Sequence, residues 1–119
     1  MGITNFTTTL SRMLSLMSNG YKAIGSQVIT LSTAGVYSLT VPEGANYALM
    51  VIEEAGGTTG TSKIVRFLET GANPTSSIGI PRGDLDAWDV ISYQNLVNFK
   101  IIRVTAASHV LQVQYYQNL

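Results

Sequence analysis

From residue 27 to residue 116 the chain is punctuated as strands. Short runs of β-branched and aromatic residues are each stopped by glycine, proline or asparagine. Residues 36–54 show the pattern most fully: Val36-Tyr37-Ser38-Leu39-Thr40-Val41 and Tyr47-Ala48-Leu49-Met50-Val51-Ile52 flank a Pro42-Glu43-Gly44-Ala45 corner. Pro42 holds its own φ at about −65° and has no N–H for a ladder, while Gly44 takes positive φ at little cost. The segment reads as a hairpin, strand then corner then strand.

The same pattern predicts a first strand at 27–31 and a fourth at 63–69, followed by the Gly71-Ala72-Asn73-Pro74-Thr75 turn. A short strand at 77–80 is stopped by Pro81, and Arg82-Gly83-Asp84 turns the chain into a sixth strand at 86–91. Residues 95–98 read as an irregular turn before a strand at 99–104. The closing strand, 109–116, alternates: Leu111, Val113 and Tyr115 share one face, and Val110, Gln112, Gln114 and Tyr116 the other. Between the third and fourth strands, Gly56-Gly57-Thr58-Thr59-Gly60-Thr61 is a flexible loop. Eight strands with turns roughly every 8 to 12 residues predict an all-β fold, a single β-sandwich or jelly-roll-like domain over residues 26–119.

Residues 1–20 follow a different period. Phe6, Leu10, Met13, Leu14 and Met17 fall on one face of a helix, with Thr4 or Asn5 to cap it and Asn19-Gly20 to end it. A helix of this length is marginal alone, so its apolar face needs a cover. Two covers fit: its own sandwich, or a neighbouring subunit on which it docks as an arm. Methionine-rich faces adapt to partners. These five residues are the candidate partner-binding set.

Charged residues make up 12% of the 119-residue chain, about half the usual share, and seven basic residues balance seven acidic ones. Such a surface suits burial against other subunits, because charges are depleted at interface cores. No basic cluster is present to neutralise phosphates, so nucleic-acid binding is not expected. There is no cysteine and no glycine-rich phosphate loop ending in Lys-Ser/Thr. Neither a secretory signal nor an apolar run long enough to span a membrane is seen, and no membrane partner is expected.

Several groupings were weighed for chemistry. Asp84, Asp86 and Asp89 lie beside Gly83 and could offer oxygen ligands to calcium, but their spacing does not match an EF-hand loop and a solvated turn accounts for them. Glu53 and Glu54 are adjacent in a strand and point to opposite faces, which removes them as a hydrolytic carboxylate pair. His109 is the sole histidine; alone it cannot build a zinc site, and a solvent-facing or hydrogen-bonded structural role is expected. A Ser-His-Asp triad is compatible with composition but marked by no motif. Trp88, Tyr93, Tyr115 and Tyr116 would form either a platform for sugar rings or part of a core or interface. The sequence therefore assigns no catalytic, cofactor-binding or metal-ligating residue, and an enzyme is not expected.

The chain resembles small β-rich virion proteins of tailed bacteriophages. The likeness covers about residues 26–116 and lies in the order of Gln27-Val28-Ile29-Thr30-Leu31, Leu39-Thr40-Val41-Pro42-Glu43-Gly44-Ala45, Val65-Arg66-Phe67, Gly71-Ala72-Asn73-Pro74-Thr75, Gly83-Asp84, Phe99-Lys100-Ile101-Ile102-Arg103 and Leu111-Gln112-Val113-Gln114-Tyr115-Tyr116. It implies a structural component of the virion, most simply a capsid decoration or cement protein that binds the major capsid protein and assembles as a symmetric homo-oligomer. Since members sit on heads or tails, a neck, tail or baseplate component or fibre adaptor is the alternative, with tail proteins as partners. From a different class comes a carbohydrate-binding module built on Trp88. The helix of residues 1–20 departs from the resembled domain, which often begins near its first strand.

Overall fold

The computed structural model describes residues 9–11, 14, 20–56 and 63–118. They form two antiparallel four-stranded sheets packed face to face. The strands are β1 (Tyr21–Leu31), β2 (Tyr37–Ser38), β3 (Tyr47–Glu53), β4 (Val65–Leu68), β5 (Ile80–Arg82), β6 (Ala87–Ile91), β7 (Lys100–Arg103) and β8 (His109–Asn118), with one short helix α1 (Tyr93–Asn98) between β6 and β7. One sheet has the order β1-β8-β3-β6 and the other β2-β7-β4-β5. First pairs with last, second with seventh, third with sixth and fourth with fifth. The expected all-β sandwich is thus observed.

Alternation decides which side chains enter the core. On β8, Leu111, Val113 and Tyr115 face the opposite sheet, joined by Ala48, Met50 and Ile52 of β3 and by Trp88 and Val90 of β6. The second sheet answers with Val65, Phe67 and Ile101. Phe67 ties the layers together, stacked on Trp88 at 5.0 Å and on Phe99 at 5.3 Å between ring centroids. Tyr116, on the other face of β8, is nonetheless 2% exposed. It packs on Tyr47 at 5.5 Å, and Tyr47 in turn on Tyr21 at 5.9 Å, so an aromatic row lies on the outer side of the first sheet.

The structure departs from the sequence reading at four places. Residues 36–54 are not a hairpin: β2 and β3 belong to different sheets. Both edges of β3 are occupied, by β8 and β6, so β2 must find its partner in β7. The Pro42 corner is real but carries the chain between layers, closed by Ala45 N–H donating to the Pro42 carbonyl at 3.1 Å, with Gly44 at φ +89°. A Cβ at Gly44 would lie 2.6 Å from Gln117 Nε2, the far end of a flexible side chain that can move aside, so it is the positive φ that calls for glycine there.

The first strand starts at Tyr21, six residues before Gln27, because β8 runs to Asn118 and pairs along its whole length with β1 across a bulge at Ala23/Gly25. Pro81 lies within β5 rather than stopping it. As β5 is the edge of its sheet, a missing N–H there costs no ladder bond. Residues 95–98 belong to α1, capped by the Ser92 hydroxyl accepting from Asn95 N–H at 3.3 Å. Six residues are too few to show a helical period. The loop at 56–61 falls, beyond Gly56, outside the described residues.

Candidate functional site

Of the five residues expected to bind a partner, Leu10 and Leu14 are described; Phe6, Met13 and Met17 lie outside the described residues. Thr9, Leu10, Ser11 and Leu14 are helical, which places Leu10 and Leu14 one turn apart on one face. They are 37% and 58% exposed. Their neighbour Thr9 is buried, and its hydroxyl donates to the carbonyl of Ala87 on the edge strand β6 at 3.2 Å. Among the described residues, Thr9 ties this segment to the first sheet, while Leu10 and Leu14 are exposed.

The acidic cluster separates into three structural roles. Asp86 Oδ2 accepts from Gly83 N–H at 2.7 Å, and Asp84 Oδ1 from Glu54 N–H at 2.8 Å. Asp89 Oδ2 accepts from the Tyr47 hydroxyl at 3.0 Å. No group of three metal-ligating side chains lies together among the described residues. Glu53 is exposed and accepts from Gln112 Nε2 at 3.3 Å.

His109 is 1% exposed, so its role is internal rather than solvent-facing. Its Nδ1 accepts from Ala55 N–H at 3.1 Å, which requires the hydrogen on Nε2, and that nitrogen lies 2.6 Å from Thr105 Oγ1. In a catalytic triad the polarity is the reverse, with Nδ1–H donating to a carboxylate and Nε2 taking the nucleophile's proton. This histidine ties the exit of β3 to the loop before β8. Burial holds it below the usual histidine range, opposed by the Glu54 and Asp84 carboxylates and the Thr105 contact and reinforced by Arg103.

The sugar platform is not formed. Trp88, Tyr115 and Tyr116 are 4%, 1% and 2% exposed, and all three rings are enclosed. Tyr93 alone is open, on the rim of a shallow hollow with Val41, Glu43 and Asn46.

Comparison with protein-family models, curated proteins and solved structures finds no match. No helix among the described residues is long and apolar enough to cross a membrane.

Two features escaped the sequence reading. Arg82 folds inward over Phe67 and Trp88. Tyr37 receives Thr33 N–H at 3.1 Å and lies 3.2 Å from the Thr33 hydroxyl, in the manner of a tyrosine corner bridging the β1–β2 arch. The four-residue spacing from Thr33 to Tyr37 was the available signal. The Ser32 and Thr33 hydroxyls and the Thr33 amide stabilise the phenolate and bring Tyr37 down to about 8, whereas burial pushes Tyr115 up to about 12. Ultraviolet difference titration should therefore show Tyr37 ionising well before Tyr115. Tyr37→Phe should remove that early step and nothing else; if the step survives, it belongs to another ring.

Proposed function

We propose that this chain is a structural protein of a tailed-phage particle, a cement or decoration subunit that seats on the major capsid protein as a symmetric oligomer. The nested strand order is that of a jelly roll, an architecture used by viral capsid proteins, lectins and cupins. Because one fold hosts many functions, the choice among these rests on sites. The lectin-like reading loses its platform with the burial of Trp88, Tyr115 and Tyr116.

The observation that carries the assembly reading is the outward exposure of Leu10 and Leu14 beside the buried anchor Thr9. Exposed leucines one helical turn apart beside an anchored residue have the form of a docking element. The low charge of the chain favours the same use.

Substituting both leucines, Leu10→Ser with Leu14→Ser, alters only exposed positions and should leave the sandwich folded. At about 1.5 kcal/mol for each buried leucine, the pair should weaken docking by roughly a hundredfold. Occupancy on purified particles, counted by electron microscopy, reads the effect directly, and full occupancy by the double variant would overturn the reading. The same count separates locations: hundreds of copies mark the shell, and about six to a few dozen mark a neck, tail or baseplate position.

A further inference from the structure

Two enclosed nitrogen donors, one on β5 and one on β6, have no acceptor among the described residues. Arg82 closes β5 and places its guanidinium carbon 5.8 Å from the Phe67 ring centroid and 5.5 Å from that of Trp88. Its Nε is buried and has no hydrogen-bond partner among the described residues; the indole Nε1 of Trp88 is in the same condition. Aromatic faces attract a guanidinium but do not satisfy its in-plane N–H groups. Arg82 as a whole is only partly buried, so part of its side chain beyond the enclosed Nε is open to the outside.

The surroundings are those of an interface centre. Ile78, Ile80 and Leu85 are 58%, 46% and 58% exposed around Arg82 in the chain. Leu85 is held at φ +64°, a conformation that costs a non-glycine residue energy. Its tight turn is fixed by Leu85 N–H donating to the Ile52 carbonyl at 2.8 Å and Asp86 N–H to the Gly83 carbonyl at 3.0 Å. Arginine is among the residues enriched where binding energy concentrates at protein interfaces.

We propose that Arg82, stacked over the Trp88 ring, is a carboxylate-recognition point that receives an Asp or Glu side chain of a docking protein. Guanidinium matches the two oxygens of a carboxylate as a fork, which an ammonium cannot do. Phosphate shares that geometry, but Asp84 and Asp86 flank Arg82 in sequence and repel a doubly charged group more than a singly charged one. The source of the carboxylate rests on the assembly reading; the recognition chemistry does not.

Trp88 is the sole tryptophan, so its indole N–H gives one cross-peak in a proton–nitrogen spectrum. Sodium acetate titrated into the full chain at constant ionic strength should shift that peak saturably, while sodium chloride should not. Arg82→Met should abolish the response and Arg82→Lys weaken it by about tenfold or more. If the Met variant does not fold, the Lys variant decides. A short peptide carrying one glutamate between leucines should bind more tightly than acetate.

Absence of a saturable shift, or an unchanged shift in the Arg82 variants, would overturn the site. Tighter saturation by inorganic phosphate would overturn its assignment to carboxylates. A peptide no better than acetate would remove the docking protein as the source. An acetate response in a protein that fails to decorate particles would discard the virion reading and keep the site.

Discussion

Replacing Trp88 by alanine should cost about 3–5 kcal/mol, the range for deleting a large enclosed aromatic ring. The ring is 4% exposed and lies parallel to Phe67, with 10° between the planes, and Phe67 stacks in turn on Phe99. Deleting this end of the stack opens a cavity beside Phe67, since neither Phe67 nor Val90 can move inward without breaking its own ladder. Against a total stability of roughly 5–15 kcal/mol for a domain this size, the variant should be marginal. Urea titration followed by circular dichroism measures the loss directly. A loss below about 1 kcal/mol would mean that the indole is not packed between the sheets, and the sugar platform would return to consideration.

The second large effect concerns His109. His109→Ala should cost about 2–4 kcal/mol, combining a cavity with the loss of the hydrogen bond from the part-buried Ala55 N–H and of the Thr105 contact. It should also change the pH dependence. Burial lowers the folded-state pKa of His109 below its unfolded value. In the window between the two, the unfolded chain binds more protons, so stability is complete above about pH 6.5 and falls as acid is added. Protonation turns Nδ1 into a donor facing the Ala55 N–H, so the bond that ties β3 to the β8 side fails with it. Urea midpoints measured between about pH 7.5 and 5 should decline in the wild-type protein and decline less in the alanine variant. Parallel curves would assign the acid sensitivity to carboxylates instead.

Much of the fold was legible because burial on one face writes itself into a strand every second residue. Residues 109–116 were read in the register the structure shows for Leu111, Val113 and Tyr115. The opposed directions of Glu53 and Glu54 follow from the same rule. Gly44 was identified by the positive φ that its turn demands. Pro81 was misread because a proline within a strand and a proline after one look alike until the strand is known to be an edge.

The candidate site was legible only in part. Leu10 and Leu14 carry a helical period, so they could be picked out. The anchor seen among the described residues, Thr9 on Ala87, spans 78 positions and leaves no local pattern. Arg82 looked like an ordinary turn residue beside Gly83-Asp84. Its stacking depends on Phe67 and Trp88 arriving from two different strands.

The amino-acid sequence by itself determined that this chain forms about eight short strands with one buried face each, because alternation and corner residues act over a few positions. Only the tertiary structure decided which strands pair and which groups are left facing one another. β1 finds β8 and β2 finds β7 across most of the chain, and no local preference encodes a choice made by both edges of a sheet at once. For the same reason His109 became a clamp, Trp88 became core, and the Arg82 guanidinium came to rest over the Trp88 ring, with no acceptor for its Nε among the described residues.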